Sequence, residues 1–247
     1  MKGIEMTIQK TASSLFEGHL KKNPYPGRGL VVGRADTGNN WIMVYFIMGR
    51  SENSRNRRFV RDGERLYTEP VDLAKVTDPS LIIYDAMLAL PGIQLVSNGD
   101  QTATVHSALK FGGTFSGALA TREREPDGPN FTPRITAMLD TRVAENRLQL
   151  SILKANAADS ALTDRYTVSP ADPPAGIGYG LTTYMGDGNP LPSFKGDLLT
   201  LPLVGSPKAI LDTYWDALNA DNRVSLAVKE ITPNGTCGDL LIKNRHA

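Results

Sequence analysis

YFIMGRSENSRNRRFVRDGER, residues 45–65, is the stretch around which this chain is organised. Its first four residues are apolar and predict the end of a strand, which turns at Gly49 into a polar loop. The loop carries six arginines and three carboxylates, a local excess of three positive charges, whereas the whole chain of 247 residues carries a net charge of only +1. The positive charge is therefore concentrated in one place.

This basic loop is suited to binding a small anion. The arginines are Arg50, Arg55, Arg57, Arg58, Arg61 and Arg65, with Ser51, Asn53, Ser54 and Asn56 among them. Guanidinium groups bind phosphate bidentately, and amide and hydroxyl groups suit the remaining polar edges of such a ligand. The loop predicts a site for a phosphorylated metabolite. A solvated basic turn is the competing interpretation, which this stretch alone favours slightly.

Composition narrows the class of protein. With 40% hydrophobic and 21% charged residues the chain can bury a sizeable core, and we expect one domain over residues 27–247 after an N-terminal extension over 1–26. No run approaches the roughly 18 apolar residues that span a bilayer, and the start lacks the apolar core of a signal peptide. We therefore expect a cytoplasmic protein without a membrane partner.

Cysteine and histidine usage indicates no metal site. Cys237 is the single cysteine, which excludes an intrachain disulfide, and His19, His106 and His246 are far apart in sequence. A near-neutral charge argues against a general nucleic-acid binder. Exposed apolar strands are compatible with a homo-oligomer.

Short apolar runs separated by turn residues predict most of the elements. Residues 28–34 and 41–48 flank the turn-forming ADTGNN and predict a hairpin, from whose end the basic loop leaves. Further strands are predicted at residues 81–88, 93–97, 134–139, 147–154, 176–185, 223–231 and 239–243, and helices at 12–20, 102–110, 114–124 and after Ser206-Pro207. Paired strands with grouped helices favour an α+β fold with largely antiparallel sheets.

A second polar loop, EPDGPNFTPRI at residues 125–135, places two carboxylates, an amide, a hydroxyl and an arginine in one segment. Three prolines restrict its backbone, which is what an orienting site requires. An ordinary rigid turn is the alternative interpretation.

Four motifs occur in a fixed order: GRGLVVG at residues 27–33, YFIMGRSENSRNRR at 45–58, NGDQT at 98–102 and NFTPRI at 130–135. Together they resemble the archaeal-type IMP cyclohydrolases and their bacterial relatives. The resemblance extends over most of residues 27–155 and, more weakly, to the strand around Gly180. Each motif is short, so the order of the four gives the resemblance its specificity.

The resemblance implies a four-layer αββα fold similar to the Ntn-hydrolases, used without their terminal nucleophile. It also implies the last step of purine synthesis, in which 5-formamidoimidazole-4-carboxamide ribotide closes to IMP with loss of water, without metal or cofactor. The partner would be a small purine ribotide.

Setting that chemistry beside the residues gives candidates for each role. For catalysis the candidates are Arg55, Tyr84 and Glu125, with Asp127 as the rival carboxylate; for substrate binding they are Arg50, Ser51, Arg57, Arg58, Asn98, Asp127, Asn130, Thr132 and Arg134. Three alternatives remain open at this point: a non-catalytic purine-nucleotide-binding module, a ring-closing or amide-processing enzyme for another ribotide, and RNA binding through the basic loop.

Overall fold

The computed structural model describes residues 2–76, 79 and 82–246, and in this part of the chain the fold is α+β, with two largely antiparallel sheets and few helices. In chain order the elements are α1 (Lys2–Leu15), β1 (Gly29–Arg34), β2 (Trp41–Met48), α2 (Glu52–Arg55), β3 (Arg58–Asp62), β4 (Arg65–Glu69), β5 (Asp85–Leu90), β6 (Ile93–Ser97), α3 (Gln101–Lys110), α4 (Phe115–Ala120), β7 (Arg134–Asp140), β8 (Leu148–Ala155), β9 (Thr163–Val168), β10 (Ile177–Thr182), β11 (Leu199–Pro202), α5 (Pro207–Ala217), β12 (Arg223–Ile231) and β13 (Cys237–Asn244). The predicted class is confirmed.

The two sheets are built differently. One has the strand order β11-β10-β1-β2-β12-β13, so four strands from the C-terminal part of the chain flank the β1–β2 hairpin, and the other runs from β3 to β9 in chain order. Helix α5 packs on β12 and β13, and α3 packs on β5 and β6. The sheets contact each other where β1 meets β7 and β12 meets β3.

Strand β2 lies in the middle of its sheet, and each of its eight residues is buried. It pairs antiparallel with β1 on one side and with β12 on the other. A strand covered on both faces needs an apolar residue at every position rather than at alternate ones, which explains the continuous run WIMVYFIM. The predicted hairpin of residues 28–34 and 41–48 is confirmed.

Other predicted elements need correction. The strand expected over residues 81–88 begins at Asp85, and Leu81 lies outside the described residues. The helix expected over 114–124 is shorter, running from Phe115 to Ala120 with Thr114 as its N-cap. The basic stretch is not one loop, since it contains α2, the whole of β3 and the first residue of β4. Strands β3, β4, β9 and β11 were not predicted.

The N-terminal segment is more helical than expected. A helix predicted near residues 12–20 is instead α1 from Lys2, continued by a π-helical turn at Phe16–Lys21. Leu20 is fully buried in the main core, and Phe16 packs edge-on against Tyr214 with ring centroids 5.0 Å apart. In the part of the chain that the structure describes, no helix is long and apolar enough to cross a membrane.

Candidate active site

A polar cavity of about 240 Å³ lies where five connections between elements converge. Its lining comes from the segment before β1, the β2–β3 connection, the residues before β5, the α4–β7 loop and the β10–β11 connection. Both polar loops singled out in the sequence therefore reach the same cavity.

Arg28 and Glu125 form a buried ion pair on the cavity wall, with Arg28 Nη1 3.6 Å from Glu125 Oε2. The Glu125 side chain is only 3% exposed. Burial raises the pKa of Glu125, an effect that Arg28 opposes and Asp127 adds to. The carboxyl group therefore keeps its proton to a higher pH than an ordinary glutamate.

The Arg28 guanidinium is not saturated by the protein. Its Nε is buried and donates to no atom of the described residues. Despite the cost of burial, Glu125 and nearby tyrosines raise the pKa of Arg28, so it stays charged. A largely buried cation that lines a cavity is suited to an anionic or carbonyl oxygen of a ligand.

Arg57 brings a second buried guanidinium to the cavity. Its Nε donates to the Ser54 carbonyl at 3.0 Å. Burial and the charge of Arg28 both lower the pKa of Arg57. Two neighbouring cations in a buried site favour an anionic occupant, since such a ligand relieves their mutual repulsion.

The β2–β3 connection forms one side of the cavity mouth. Ser51 caps α2 by accepting the Ser54 N–H at 3.1 Å. The Arg50 guanidinium lies 5.0 Å over the Tyr25 ring and forms an ion pair with Asp187. Asn53 Oδ1 is buried without a hydrogen-bond partner among the described residues. This side of the cavity offers charge, hydroxyl and amide groups together.

On the α4–β7 loop, Asp127 and Thr132 form a hydrogen-bonded turn that reaches Tyr184. Asp127 Oδ1 accepts the Thr132 N–H at 2.6 Å, its Oδ2 contacts Thr132 Oγ1, and Thr132 Oγ1 lies 2.6 Å from the Tyr184 hydroxyl. Phe131 has a φ of 44°, a left-handed conformation that is rare for a residue with a side chain. The surrounding contacts hold this loop in a strained shape.

Tyr84 lies near the cavity but is not part of its lining. Its hydroxyl is 2.7 Å from that of Tyr45, and both phenols interact electrostatically with Arg28 and Arg57. Burial raises the pKa of Tyr45. The phenol pair thus borders the two buried cations.

Comparison with known proteins gives the family. A sequence model of the IMP cyclohydrolase-like protein family matches residues 25–235. The chain belongs to this family. Two curated proteins named IMP cyclohydrolase, from strains C7 and S2 of Methanococcus maripaludis, are 30% and 29% identical to it over 119 residues. Each match covers 47% of this chain and 58% of the relative, so the chain spans well under two thirds of those relatives' length.

In this family member, the cavity brings together many of the residues that the sequence had singled out. Those that line it are Arg50, Ser51, Arg57, Glu125, Asp127, Asn130 and Thr132. Asn130 also holds the opposite side of the cavity, because its Oδ1 accepts the Leu191 N–H at 2.9 Å. Two separate loops therefore build one site.

Four of the six arginines of the basic stretch do not line the cavity, and two of these, Arg55 and Arg58, were candidate site residues. Arg55 donates to the Gly49 carbonyl at 2.9 Å and to Asn222 Oδ1 at 3.1 Å, which ties the end of β2 to the segment before β12. Arg58 pairs with Glu69 across β3 and β4 at 2.8 Å. Neither side chain lines the cavity.

Asn98 and Arg134 lie behind the α4–β7 loop rather than on the cavity surface. Asn98 is fully buried and donates to the Pro133 carbonyl at 2.9 Å. Arg134 donates to Asp100 Oδ1 at 2.6 Å and to Gln101 Oε1 at 2.7 Å. These contacts fix the start of β7 and the N-terminus of α3 relative to each other.

Sequence reasoning missed Arg28, Tyr25 and Tyr184, all of which line the cavity. Arg28 lies inside the GRGLVVG motif, so an isolated basic residue at the start of a buried strand was a usable signal. Tyr184 lies 52 residues beyond Thr132, and only the pairing of β10 with β1 brings it to the site. No local pattern marks it.

In the part of the chain that the structure describes, no group of three or more histidine, cysteine, aspartate or glutamate side chains is arranged to hold a metal ion.

Proposed function

We propose that this chain is an IMP cyclohydrolase, which closes 5-formamidoimidazole-4-carboxamide ribotide to IMP with loss of water. The observation that carries the proposal is the buried pair of Arg28 and Glu125 on the wall of a polar cavity. A ring closure of this kind needs a cation at the developing oxyanion and a group that exchanges protons. The names of the curated relatives support the same reaction.

The substrate phosphate would bind at the β2–β3 side of the cavity. Arg50 and Arg57 supply positive charge there, and Ser51 and Asn53 supply polar groups. A phosphate dianion forms strong, charge-assisted hydrogen bonds to guanidinium groups. The imidazole would then extend toward Glu125, with Asn130 at its polar edge.

In the first step the carboxamide nitrogen attacks the formyl carbon, and the formyl oxygen gains negative charge. Arg28, which lines the cavity and carries a positive charge, stabilises this oxygen. Glu125 donates the proton that converts the oxygen to a hydroxyl, a role that its raised pKa favours. As the new C–N bond forms, one proton leaves the attacking nitrogen, and this is the proton with which the hydroxyl later departs as water.

In the second step the hydroxyl leaves with a proton as water, and the former formamido nitrogen loses its own proton to Glu125. The substrate has then lost two protons from nitrogen and one oxygen, which equals one water, and Glu125 is protonated again. Holding both arms of the substrate in one cavity supplies much of the rate, because the reaction is intramolecular.

The remaining predicted residues have supporting roles in this proposal. Tyr84, through its contact with Tyr45, borders the Arg28 and Arg57 charges. Arg55 positions the end of β2, and Asn98 and Arg134 support the α4–β7 loop. Arg58, paired with Glu69, takes no part.

We further propose that the two sheets and their flanking helices form the four-layer αββα arrangement of the Ntn-hydrolases, and that the protein acts in the cytoplasm. Helices α5 and α3 pack on different sheets, and the sheets contact each other, which supports this layer order.

The test is ultraviolet absorbance during incubation of the full chain with the formamido-carboxamide ribotide. We expect IMP to appear, Glu125→Gln to slow its formation by roughly 100-fold or more, and Arg58→Ala to leave the rate near that of the wild type. Tight IMP binding without turnover would overturn the proposal in favour of a purine-nucleotide-binding module. Failure to bind IMP would favour a different ribotide, or RNA if binding to a polymer is steeply salt-dependent.

A further inference from the structure

Asp127, Thr132 and Tyr184 all line the cavity and are joined by a series of hydrogen bonds along its wall. Asp127 is the first member of the series, where one carboxylate oxygen accepts the Thr132 N–H at 2.6 Å and the other contacts Thr132 Oγ1. The Tyr184 hydroxyl is 2.6 Å from Thr132 Oγ1, and Tyr184 lines the cavity.

The donor and acceptor properties of these groups determine which atom donates in each of the hydrogen bonds. An ionised carboxylate only accepts hydrogen bonds, so the Thr132 hydroxyl must donate its single proton to Asp127. Thr132 Oγ1 is then left as an acceptor toward Tyr184, whose own single proton must point at Thr132. The Tyr184 oxygen therefore presents lone pairs, and no proton, to the cavity.

We infer that Tyr184 accepts a hydrogen bond from the N–H of the substrate carboxamide and passes the proton lost by that nitrogen to Asp127. This inference rests on the proposed function. Tyr184 is then a catalytic residue that the sequence did not reveal, and Asp127 and Thr132 are positioning residues that act through it.

The proton transfer balances without an added base. As the C–N bond forms, the nitrogen proton moves to the Tyr184 oxygen, the Tyr184 proton moves to Thr132 Oγ1, and the Thr132 proton moves to Asp127. Tyr184 never has to exist as a free phenolate, which matters because burial raises its pKa. When the hydroxyl leaves, the Asp127 proton passes through Thr132 and Tyr184 to the hydroxyl oxygen, which departs as water.

The fixed direction of these hydrogen bonds also lets the site distinguish between purine nucleotides. The carboxamide nitrogen becomes N1 of the purine, which carries a proton in IMP and only a lone pair in AMP. The Tyr184 oxygen accepts a hydrogen bond from the N1 proton of IMP. With AMP it meets the N1 lone pair instead, and no hydrogen bond forms. The wild type should therefore bind IMP more tightly than AMP by roughly 10-fold or more, the worth of one buried hydrogen bond.

Asp127→Asn reverses the donor direction of these hydrogen bonds, while the side chain at residue 127 keeps its shape. The Thr132 N–H still needs an acceptor, so the amide oxygen takes that side and the amide NH2 faces Thr132 Oγ1. Thr132 must now donate to Tyr184, and the Tyr184 proton turns into the cavity. Binding of IMP should weaken and binding of AMP should strengthen, while a merely structural role for Asp127 would weaken both together.

The experiment is calorimetric titration of IMP and AMP into the wild type, Asp127→Asn, Thr132→Val and Asp187→Asn. We expect the ratio of AMP to IMP dissociation constants to fall roughly 10-fold or more in Asp127→Asn and Thr132→Val. Asp187→Asn removes a carboxylate that pairs with the cavity residue Arg50 but takes no part in the hydrogen bonds among Asp127, Thr132 and Tyr184. It should therefore leave the ratio of AMP to IMP dissociation constants unchanged.

Thermal unfolding of each variant verifies that it is folded, and Thr132→Val provides a second disruption of this series of hydrogen bonds with nearly unchanged volume. If wild-type protein converts the ribotide and binds IMP, but the ratio stays constant in both variants, the relay is wrong and the proposed function stands. If wild-type protein neither binds nor produces IMP, the proposed function fails and the relay fails with it.

Discussion

Glu125 combines near-complete burial with a charged partner that only partly compensates for it. Its pKa in the folded chain is raised, so between the ordinary glutamate pKa and the raised value the folded state binds more protons than the unfolded state. The contribution of Glu125 to stability is therefore fully present below the unfolded-state pKa and is lost as pH rises through the folded-state pKa.

Glu125→Gln removes this pH dependence. The variant should therefore gain stability relative to the wild type as pH rises from 5 to 8. The amide leaves Arg28 without its charged partner at both pH values. Urea unfolding at the two pH values measures the difference. A relative stability that is constant or falls with pH would show that the pKa of Glu125 is not raised.

Arg28 should not be replaceable by lysine. A lysine ammonium keeps the charge beside Glu125 but lacks the planar fork of donors with which the Arg28 guanidinium lines the cavity. We expect Arg28→Lys to reduce kcat by roughly 100-fold, the worth of one donor to an oxyanion, with a smaller change in KM. Arg58→Lys is the matched control because Arg58 pairs with Glu69 outside the cavity. Equal kcat values for the two variants would remove Arg28 from the reaction.

For single residues, the sequence indicated which residue types belong to the site better than it indicated where their side chains point. It marked Arg57 and Asp127, both of which line the cavity, but gave no means to separate Arg57 from Arg55. That distinction depends on α2, which turns Arg55 toward Asn222, while Arg57 lies between α2 and β3. Side-chain direction there is a property of the folded backbone.

Helix α2 is placed by a close approach that only glycine allows. A Cβ added to Gly49 would lie 2.7 Å from the carbonyl carbon and oxygen of Ser54, so the turn would have to move. Gly49→Ala should therefore displace Ser51 and Asn53 and weaken IMP binding by roughly 10-fold, since the lost contacts include hydrogen bonds to a charged group.

Calorimetric titration with IMP measures this effect. Gly18→Ala is the matched control, because a Cβ there meets no atom within 4 Å and should leave IMP affinity unchanged. Wild-type affinity in Gly49→Ala would mean that the β2–β3 connection does not contact the ligand.

Elements with a strong apolar pattern were predictable, and those without one were not. The hairpin of β1 and β2 followed from two buried runs around a polar turn. Strand β9, TDRYTV, lies at the edge of its sheet with most of its residues exposed, so burial imposes no pattern on it. Strand β3 was hidden because its charged residues read as part of the basic loop. Exposed strands are stabilised by pairing rather than by sequence.

The order of the strands is a whole-molecule property that local patterns do not contain. Strand β10 joins the first sheet by pairing with β1, more than 140 residues away in sequence, and this pairing brings Tyr184 to the cavity. The α+β class followed from the grouping of elements, but the alignment of five connections around one cavity did not. The site is complete only when both sheets have formed.

A substitution in the N-terminal segment tests whether this segment unfolds together with the two sheets. The family match begins at residue 25, yet Leu20 is fully buried in the main core together with residues of both sheets. Removing its side chain leaves a cavity, so Leu20→Ala should cost about 2–5 kcal/mol. If the segment and both sheets fold as one unit, this loss lowers the midpoint of a single unfolding transition.

Differential scanning calorimetry on the full chain distinguishes the two cases, with Met6→Ala as the control because Met6 on α1 is 62% exposed. We expect one transition in all three proteins, shifted down in Leu20→Ala and unchanged in Met6→Ala. Two transitions, with only the lower one moved by Leu20→Ala, would instead mean that the first residues unfold separately from the sheets that form the cavity. The segment would then be an appendage packed on the domain, and its removal should leave IMP binding intact.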